Sequence, residues 1–214
     1  ASVPVDGWTQ MLVYRAMGWD VPVWAHIPLI HGEDGKKLSK RHGALGVEEY
    51  RDMGYPAAAM RNYLARLGWS HGDDEIISRE QAVEWFDLPD VNKGASRLDM
   101  DKMLALNAHY LKEKPAADLL ALARPFIEAE GWTDIDDEGL ARLVLGMPAV
   151  ADRAKTLADI GGMAKYYLQE PPIDIEDKAR KALGEDGLAV VADMVSVLGA
   201  VDDWSEAGIK AALS

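Results

Sequence analysis

The sequence predicts a mainly α-helical chain with a minor β component near its N-terminus, and three observations carry that expectation. Apolar residues recur at helical spacing along most of the 214 residues, as in Met60, Tyr63, Leu64 and Leu67. Capping residues precede such stripes: Ser78-Arg79-Glu80-Gln81 has the Ser-x-x-Gln form of a capping box, and Asp99 stands directly before Met100. The extended pattern is confined to Trp19–Ile30 and is broken by Pro22 and Pro28, whereas the chain after Pro115 reads as nearly all helix.

Taken in order, Trp8, Met11, Leu12 and Tyr14-Arg15-Ala16-Met17 form a helical stripe that ends at Gly18. Residues 1–7 are set aside from the fold reading. The apolar run Trp24-Ala25-His26-Ile27-Pro28-Leu29-Ile30 has the character of a short buried strand. Val47–Met53 reads as a short helix stopped by Gly54. Pro56 opens a second one, Ala57–Leu67, which Gly68 closes and whose inner stripe is Met60, Tyr63, Leu64 and Leu67. Asp99 caps Met100–Lys112, with Met103, Leu104 and Leu106 facing inward.

Pro115 starts the next unit. Ala116–Glu130 is helical, with Pro125 expected to kink or split it, and helices follow at Asp137–Leu145, Pro148–Ala154 and Asp159–Leu168. Gln169-Glu170-Pro171-Pro172 reads as a linker. Two last helices are expected, Glu176–Leu198 with a weak point at Gly184–Gly187, and Ser205–Leu213.

Composition narrows the function classes. Hydrophobic residues make up 49% of the chain, enough for a core and against global disorder. There is no cysteine, which excludes disulfides and thiolate metal sites and suits a reducing compartment. No run of about 18 apolar residues predicts a membrane span. The net charge of −13 argues against indiscriminate nucleic-acid binding. The charge is unevenly spread, however. Residues 30–70 carry seven Lys or Arg against five acids, and residues 71–214 carry fifteen against twenty-nine, so contact with phosphate is expected to be local.

The basic segment is Gly32-Glu33-Asp34-Gly35-Lys36-Lys37-Leu38-Ser39-Lys40-Arg41-His42-Gly43. Four cations fall within six residues, Asp34-Gly35 is a turn dipeptide, and Gly32 and Gly43 bracket the segment. A basic, glycine-bracketed loop leaving a strand is a device for holding phosphate oxygens; a solvated lysine-rich turn is the plain alternative.

Lys37-Leu38-Ser39-Lys40-Arg41 resembles the Lys-Met-Ser-Lys-Ser signature loop of class I aminoacyl-tRNA synthetases, in the Lys-Leu-Ser-Lys-Arg form of glutamyl-tRNA synthetases. The resemblance extends through Ala25–Ile30, Val47-Glu48-Glu49-Tyr50-Arg51 and Asn62-Tyr63-Leu64-Ala65-Arg66-Leu67-Gly68-Trp69-Ser70. It continues at Ser96, Leu98-Asp99, Leu106-Asn107 and His109-Tyr110-Leu111. After Pro115 it is looser, resting on Asp152-Arg153-Ala154-Lys155-Thr156-Leu157.

The resemblance implies a signature-loop and helical stem-contact domain over residues 1–114 and an all-helical anticodon-binding region. Its first subdomain would cover residues 115–170, and residues 171–214 would begin a second, incomplete one. It implies a ligase that activates L-glutamate with ATP, accompanied by Mg²⁺, and transfers it to tRNA(Glu), acting as a cytoplasmic monomer. Lys40, the second lysine of the loop, would meet the phosphates of ATP. Lys37 would assist it, and Leu38, Ser39 and Arg41 complete the loop. Arg153 is the candidate anticodon contact, since a guanidinium can pair bidentately with a base edge; an exposed helix arginine is its plain reading. The family also builds its nucleotide site on a doubly wound sheet with a His-Ile-Gly-His-like motif, and neither is read here. The sequence is therefore expected to be the middle and later portion of a longer enzyme, inactive alone and holding no cofactor.

Other constellations fail on spacing. Gly32–Lys36 lacks the Gly-x4-Gly-Lys-Ser/Thr arrangement of a phosphate-binding loop. The five histidines show no paired metal-ligand spacing, so no metal site is expected. Asp73-Asp74-Glu75 and Asp134–Glu138 lack the alternation of a calcium loop. Ser39 has His42 nearby but no third partner for nucleophilic catalysis. The alternative from another class is a non-catalytic helical RNA-binding or adaptor module, which the signature loop disfavours. A free-standing ATP enzyme is disfavoured by the missing nucleotide-binding sheet.

Overall fold

The computed structural model describes residues 5–24, 27, 29–32, 34–38, 45–170 and 175–213. The chain divides into two compact units, Ala1–Leu168 and Gln169–Ser214.

The first unit begins with α1 (Val5–Ala16), which ends in a turn where Gly18 takes φ +71°. Among the described residues of the expected strand and its exit, β1 (Ile30–His31) forms; it runs parallel to β2 (Ser96–Arg97), pairing Ile30 with Ser96 and His31 with Arg97. Helix α2 (Val47–Asp52) stops as read from the sequence: Gly54 has φ +88°, a region open to glycine. Helix α3 (Ala57–Gly68) buries Ala59, Met60, Asn62 and Tyr63, but Leu64 is exposed, which corrects the expected inner stripe.

Asn62 takes a wall position because its amide bridges a strand-like segment: Nδ2 donates to the Glu75 carbonyl at 2.8 Å, and Oδ1 accepts from the Ile77 N–H at 2.7 Å. The capping box at Ser78 is present and opens α4 (Arg79–Trp85). Asp99 caps α5 (Met100–Lys112), accepting from the Lys102 N–H at 3.0 Å. Tyr50, Tyr55, Met60, Tyr63 and Met103 make the first core, with Leu98, Leu104 and Leu106 packed against it.

Helix α6 (Ala116–Ala129) runs unbroken through Pro125. Helix α7 (Asp137–Ala151) runs through Pro148, so the two helices expected at Asp137–Leu145 and Pro148–Ala154 are one. Both prolines lie on exposed faces. The carbonyl one turn back, freed by the missing N–H, lies on that same side and can be hydrated, so the helix continues. The expected helix Asp159–Leu168 divides instead into α8 (Leu157–Met163) and α9 (Lys165–Leu168). Helices α6 to α9 enclose the second core, which includes Leu119, Ile127, Leu143, Met147 and Ile160, with Leu111 reaching in from α5.

The second unit holds α10 (Asp177–Gly199) and α11 (Glu206–Ala212). Gly184, at φ 58° and ψ −169°, interrupts α10 where the sequence had placed a weak point. Ser205 caps α11, accepting from the Gly208 N–H at 3.1 Å. Among the described residues, no helix is long and apolar enough to cross a membrane.

Candidate active-site turn and nucleic-acid interface

The basic segment leaves β1 as a tight hairpin. The Leu38 N–H donates to the Ile30 carbonyl at 2.9 Å and the Gly32 N–H to the Lys36 carbonyl at 2.8 Å, while His31 and Lys37 form an antiparallel bridge. Asp34 holds the reversal from inside, its Oδ1 accepting from the Lys36 N–H at 3.0 Å. Gly35 has φ +74°, and a methyl group there would lie 2.9 Å from Nη2 of Arg97. Arg97, on β2, is thereby brought against a turn 62 residues earlier in the chain. Nothing in the sequence pattern marked it.

Of the expected site residues, Lys37 is exposed and Leu38 half-buried at the exit of this hairpin. Ser39, Lys40 and Arg41, with His42, lie outside the described residues. Lys36, Lys37 and Arg97 therefore gather cationic groups on one corner of the small sheet.

Beside that corner is a cavity of about 800 Å³ whose lining includes Arg66, Arg97, Lys102 and His109, with Glu75 and Asp99, set among apolar side chains such as Leu67, Ile76 and Leu106. Asp99 is committed to the fold: its carboxylate caps α5, and its backbone N–H and carbonyl both bond to the Tyr63 hydroxyl. Arg66 Nη1 stands 3.4 Å from Glu75 Oε1, and its enclosed Nε has no partner among the described residues. A wall of nitrogen donors with one exposed, replaceable carboxylate suits oxyanions such as a nucleic-acid backbone. Among the described residues, no group of three or more His, Cys, Asp and Glu side chains could hold a metal ion.

Arg153 lies far along the chain, in the turn between α7 and α8. Its side chain is exposed and, among the described residues, has no partner. Its own N–H donates to the Val150 carbonyl at 3.0 Å. The neighbouring Ala154 and Leu157 are buried in the second core.

Residues 7–105 match the tRNA synthetases class I (E and Q) catalytic domain, and residues 118–214 match the Anticodon binding domain. The chain belongs to the class I tRNA synthetases of this glutamate and glutamine type. More particularly, it is similar to curated glutamate–tRNA ligases: 50% identical over 209 residues to glutamate–tRNA ligase 2 of Brucella ovis, and 49% identical over 209 residues to glutamate–tRNA ligase 1 of Brucella melitensis. Each alignment covers 95% of this chain and 44% of the relative, so the chain spans less than half the length of the relatives it matches. Among solved structures it resembles a glutamate tRNA ligase from Elizabethkingia meningosepticum in complex with its amino acid, with a TM-score of 0.74 and 27% identity, covering 97% of this chain and 45% of that one.

Proposed function

We propose that this chain is the part of a glutamate–tRNA ligase that carries the signature loop and the tRNA-facing helices. The observation that carries the reading is the 50% identity to a glutamate–tRNA ligase along nearly the whole chain; the order Lys37-Leu38-Ser39-Lys40-Arg41 in this sequence supports the assignment of the loop. In this reading, residues 1–114 are the signature-loop and stem-contact domain. Residues 115–170 form the first helical anticodon-binding subdomain, and residues 171–214 begin the second. The partners are ATP, accompanied by Mg²⁺ as a substrate complex, L-glutamate and tRNA(Glu), in a cytoplasmic, monomeric enzyme.

The chemistry assigned to the loop follows from charge development. Attack of the glutamate carboxylate oxygen on the α-phosphorus of ATP forms the acyl-phosphate bond and breaks the bond to pyrophosphate, on which negative charge grows. An ammonium placed over those oxygens stabilises the transition state more than bound ATP. Lys40 supplies that ammonium, a compact charge on a flexible stem. Lys37, at the hairpin exit, holds the loop's approach. The donors at Arg66, Arg97 and Lys102 take the tRNA backbone, and Arg153 meets the anticodon.

The test is single-turnover glutamyl-adenylate formation at saturating ATP in the ligase. We expect Lys40→Ala to slow it by about 10²–10³-fold, or roughly 3–4 kcal/mol, with glutamate affinity nearly unchanged. Lys37→Ala should cost less. A Lys40→Ala enzyme that forms adenylate at the wild-type rate would remove the assignment to Lys40 and leave the family membership intact.

A further inference from the structure

We infer that Gly54 and Asn107 are positioning residues for the RNA-contacting turn: they pin the backbone that follows Arg153, at Leu157 and Lys155, so that its guanidinium is presented in one orientation. The inference rests on the reading of Arg153 as an RNA contact and extends it to two buried residues that touch no substrate.

Gly54 is the first clamp. Its carbonyl accepts the Leu157 N–H at 2.9 Å. Its φ of +88° disfavours any side chain, and a methyl group there would lie 2.7 Å from the Ala158 nitrogen and 2.8 Å from the Leu157 nitrogen. Those are backbone atoms, which cannot step aside as a flexible side chain would. Gly54 also closes α2, the first helix after the basic turn, so one residue ends that helix and seats the start of α8.

Asn107 is the second clamp. It is fully buried on α5, and its Nδ2 donates to the Lys155 carbonyl. Its Oδ1 is enclosed without a partner, so among the described residues the turn is what this side chain binds. A buried amide oxygen left unpaired carries a desolvation cost, and the position nevertheless holds an asparagine aimed at the turn.

Local bonds complete the hold. Asp159 Oδ2 accepts from the N–H groups of Lys155 and Thr156, each at 2.9 Å. Lys112 Nζ lies 3.3 Å from Asp152 Oδ1. From Arg153 to Leu157, then, each residue has a backbone group held by a hydrogen bond, while the Arg153 side chain stands in solvent. Ordering a loop during binding costs conformational entropy, and a turn that is already ordered avoids that cost. The guanidinium of Arg153 thus has its stem fixed and only its own rotamers to settle.

The experiment uses the 214-residue chain with a tRNA(Glu) transcript as probe, followed by fluorescence anisotropy at one fixed low salt concentration. Arg153→Ala should weaken binding by about tenfold. Asn107→Ala should weaken it by about three- to tenfold while circular dichroism shows the chain folded. The double variant should bind no more weakly than Arg153→Ala alone, because Asn107 acts through Arg153. Gly54→Ala should behave like Asn107→Ala or more severely.

Unchanged affinity in Asn107→Ala, or losses that multiply in the double variant, would overturn the inference and leave Arg153 as an RNA contact. Wild-type affinity in Arg153→Ala would overturn that contact, and the positioning role with it. Hydrogen exchange on the unmodified chain decides the matter where variants fail to fold. The Lys155, Thr156 and Leu157 amides should exchange far more slowly than unstructured amides, and free exchange there overturns the inference.

Discussion

The two cores of the first unit are built from different chemistry. Tyr50, Tyr55 and Tyr63 dominate the first, beside Met60 and Met103, whereas every buried member of the second is Leu, Ala, Ile, Met or Val. A phenol has a polar tip that needs a partner, so a tyrosine core also fixes directions. The Tyr63 hydroxyl donates to the Asp99 carbonyl at 2.9 Å and accepts from the Asp99 N–H at 2.7 Å, setting where β2 turns into α5. That is the stretch that carries Arg97 to the basic turn. The aliphatic core fixes shape instead. Gly161 lets α8 lie so close to α6 that a methyl group there would be 2.8 Å from the Phe126 carbonyl oxygen. Directional bonds thus serve the half that holds the basic turn, and close packing serves the helical half that follows it in the chain.

The largest effects are expected in the aliphatic core. Leu143 and Met147 are fully buried, so Leu143→Ala or Met147→Ala should cost about 2–5 kcal/mol by transfer and cavity terms together, read from urea unfolding. A loss below about 1 kcal/mol would mean this core collapses around a void and is less closely packed than described.

Tyr63→Phe tests the other core. It removes one hydroxyl and leaves the Asp99 N–H short of a partner, which should cost about 1–3 kcal/mol; the Asp99 carbonyl keeps the Met103 N–H at 3.1 Å. A pH series sharpens the contrast. Burial pushes the phenols of Tyr50, Tyr55, Tyr63 and Tyr110 above their ordinary value. For Tyr63 the backbone bond to Asp99 offsets part of this, as Arg61 does for Tyr110. The folded chain therefore holds these protons more tightly than the unfolded chain. Their contribution is fully present below the unfolded value of about 10 and is lost as pH rises through the raised folded values. The urea midpoint should fall across that alkaline range, and less steeply in Tyr63→Phe; a flat midpoint would show that these phenols are no more protected than free ones.

What the sequence made legible was local. Ser78 and Asp99 announced their helices because a cap bonds within three residues, and Gly54 and Gly184 marked breaks because backbone angle is a property of one residue. The basic turn was legible through its order of residues. The missed features depend on partners distant in the chain or on which face meets water. Leu64 fits the apolar period but faces outward, while Asn62 is buried because Glu75 and Ile77 need its amide. Pro125 and Pro148 break helices by propensity but stand on exposed faces. Arg97 beside Gly35, and Gly54 beneath Leu157, are meetings that no short window contains.

The smallest effects separate two caps of the same form. Ser78 Oγ accepts from the Gln81 N–H at 3.1 Å, and Gln81 Oε1 accepts from the Ser78 N–H at 2.9 Å. At the other site Thr156 Oγ1 accepts from the Asp159 N–H at 3.1 Å, with Asp159 answering to the Thr156 N–H at 2.9 Å. The bonds match, but the helices behind them do not. No residue of α4 is buried, so its first turn can fray without opening a core. Leu157 and Ile160 of α8 are buried, and fraying there would expose both. Thr156→Ala should therefore cost about 1–2 kcal/mol and Ser78→Ala about 0.5–1 kcal/mol, with Thr156→Ser restoring most of the larger loss. Urea midpoints of the three variants decide it. If Ser78→Ala proves the costlier, α4 is tied into the first core more tightly than its exposed faces suggest, and the contrast between a directional half and a packed half loses one of its supports.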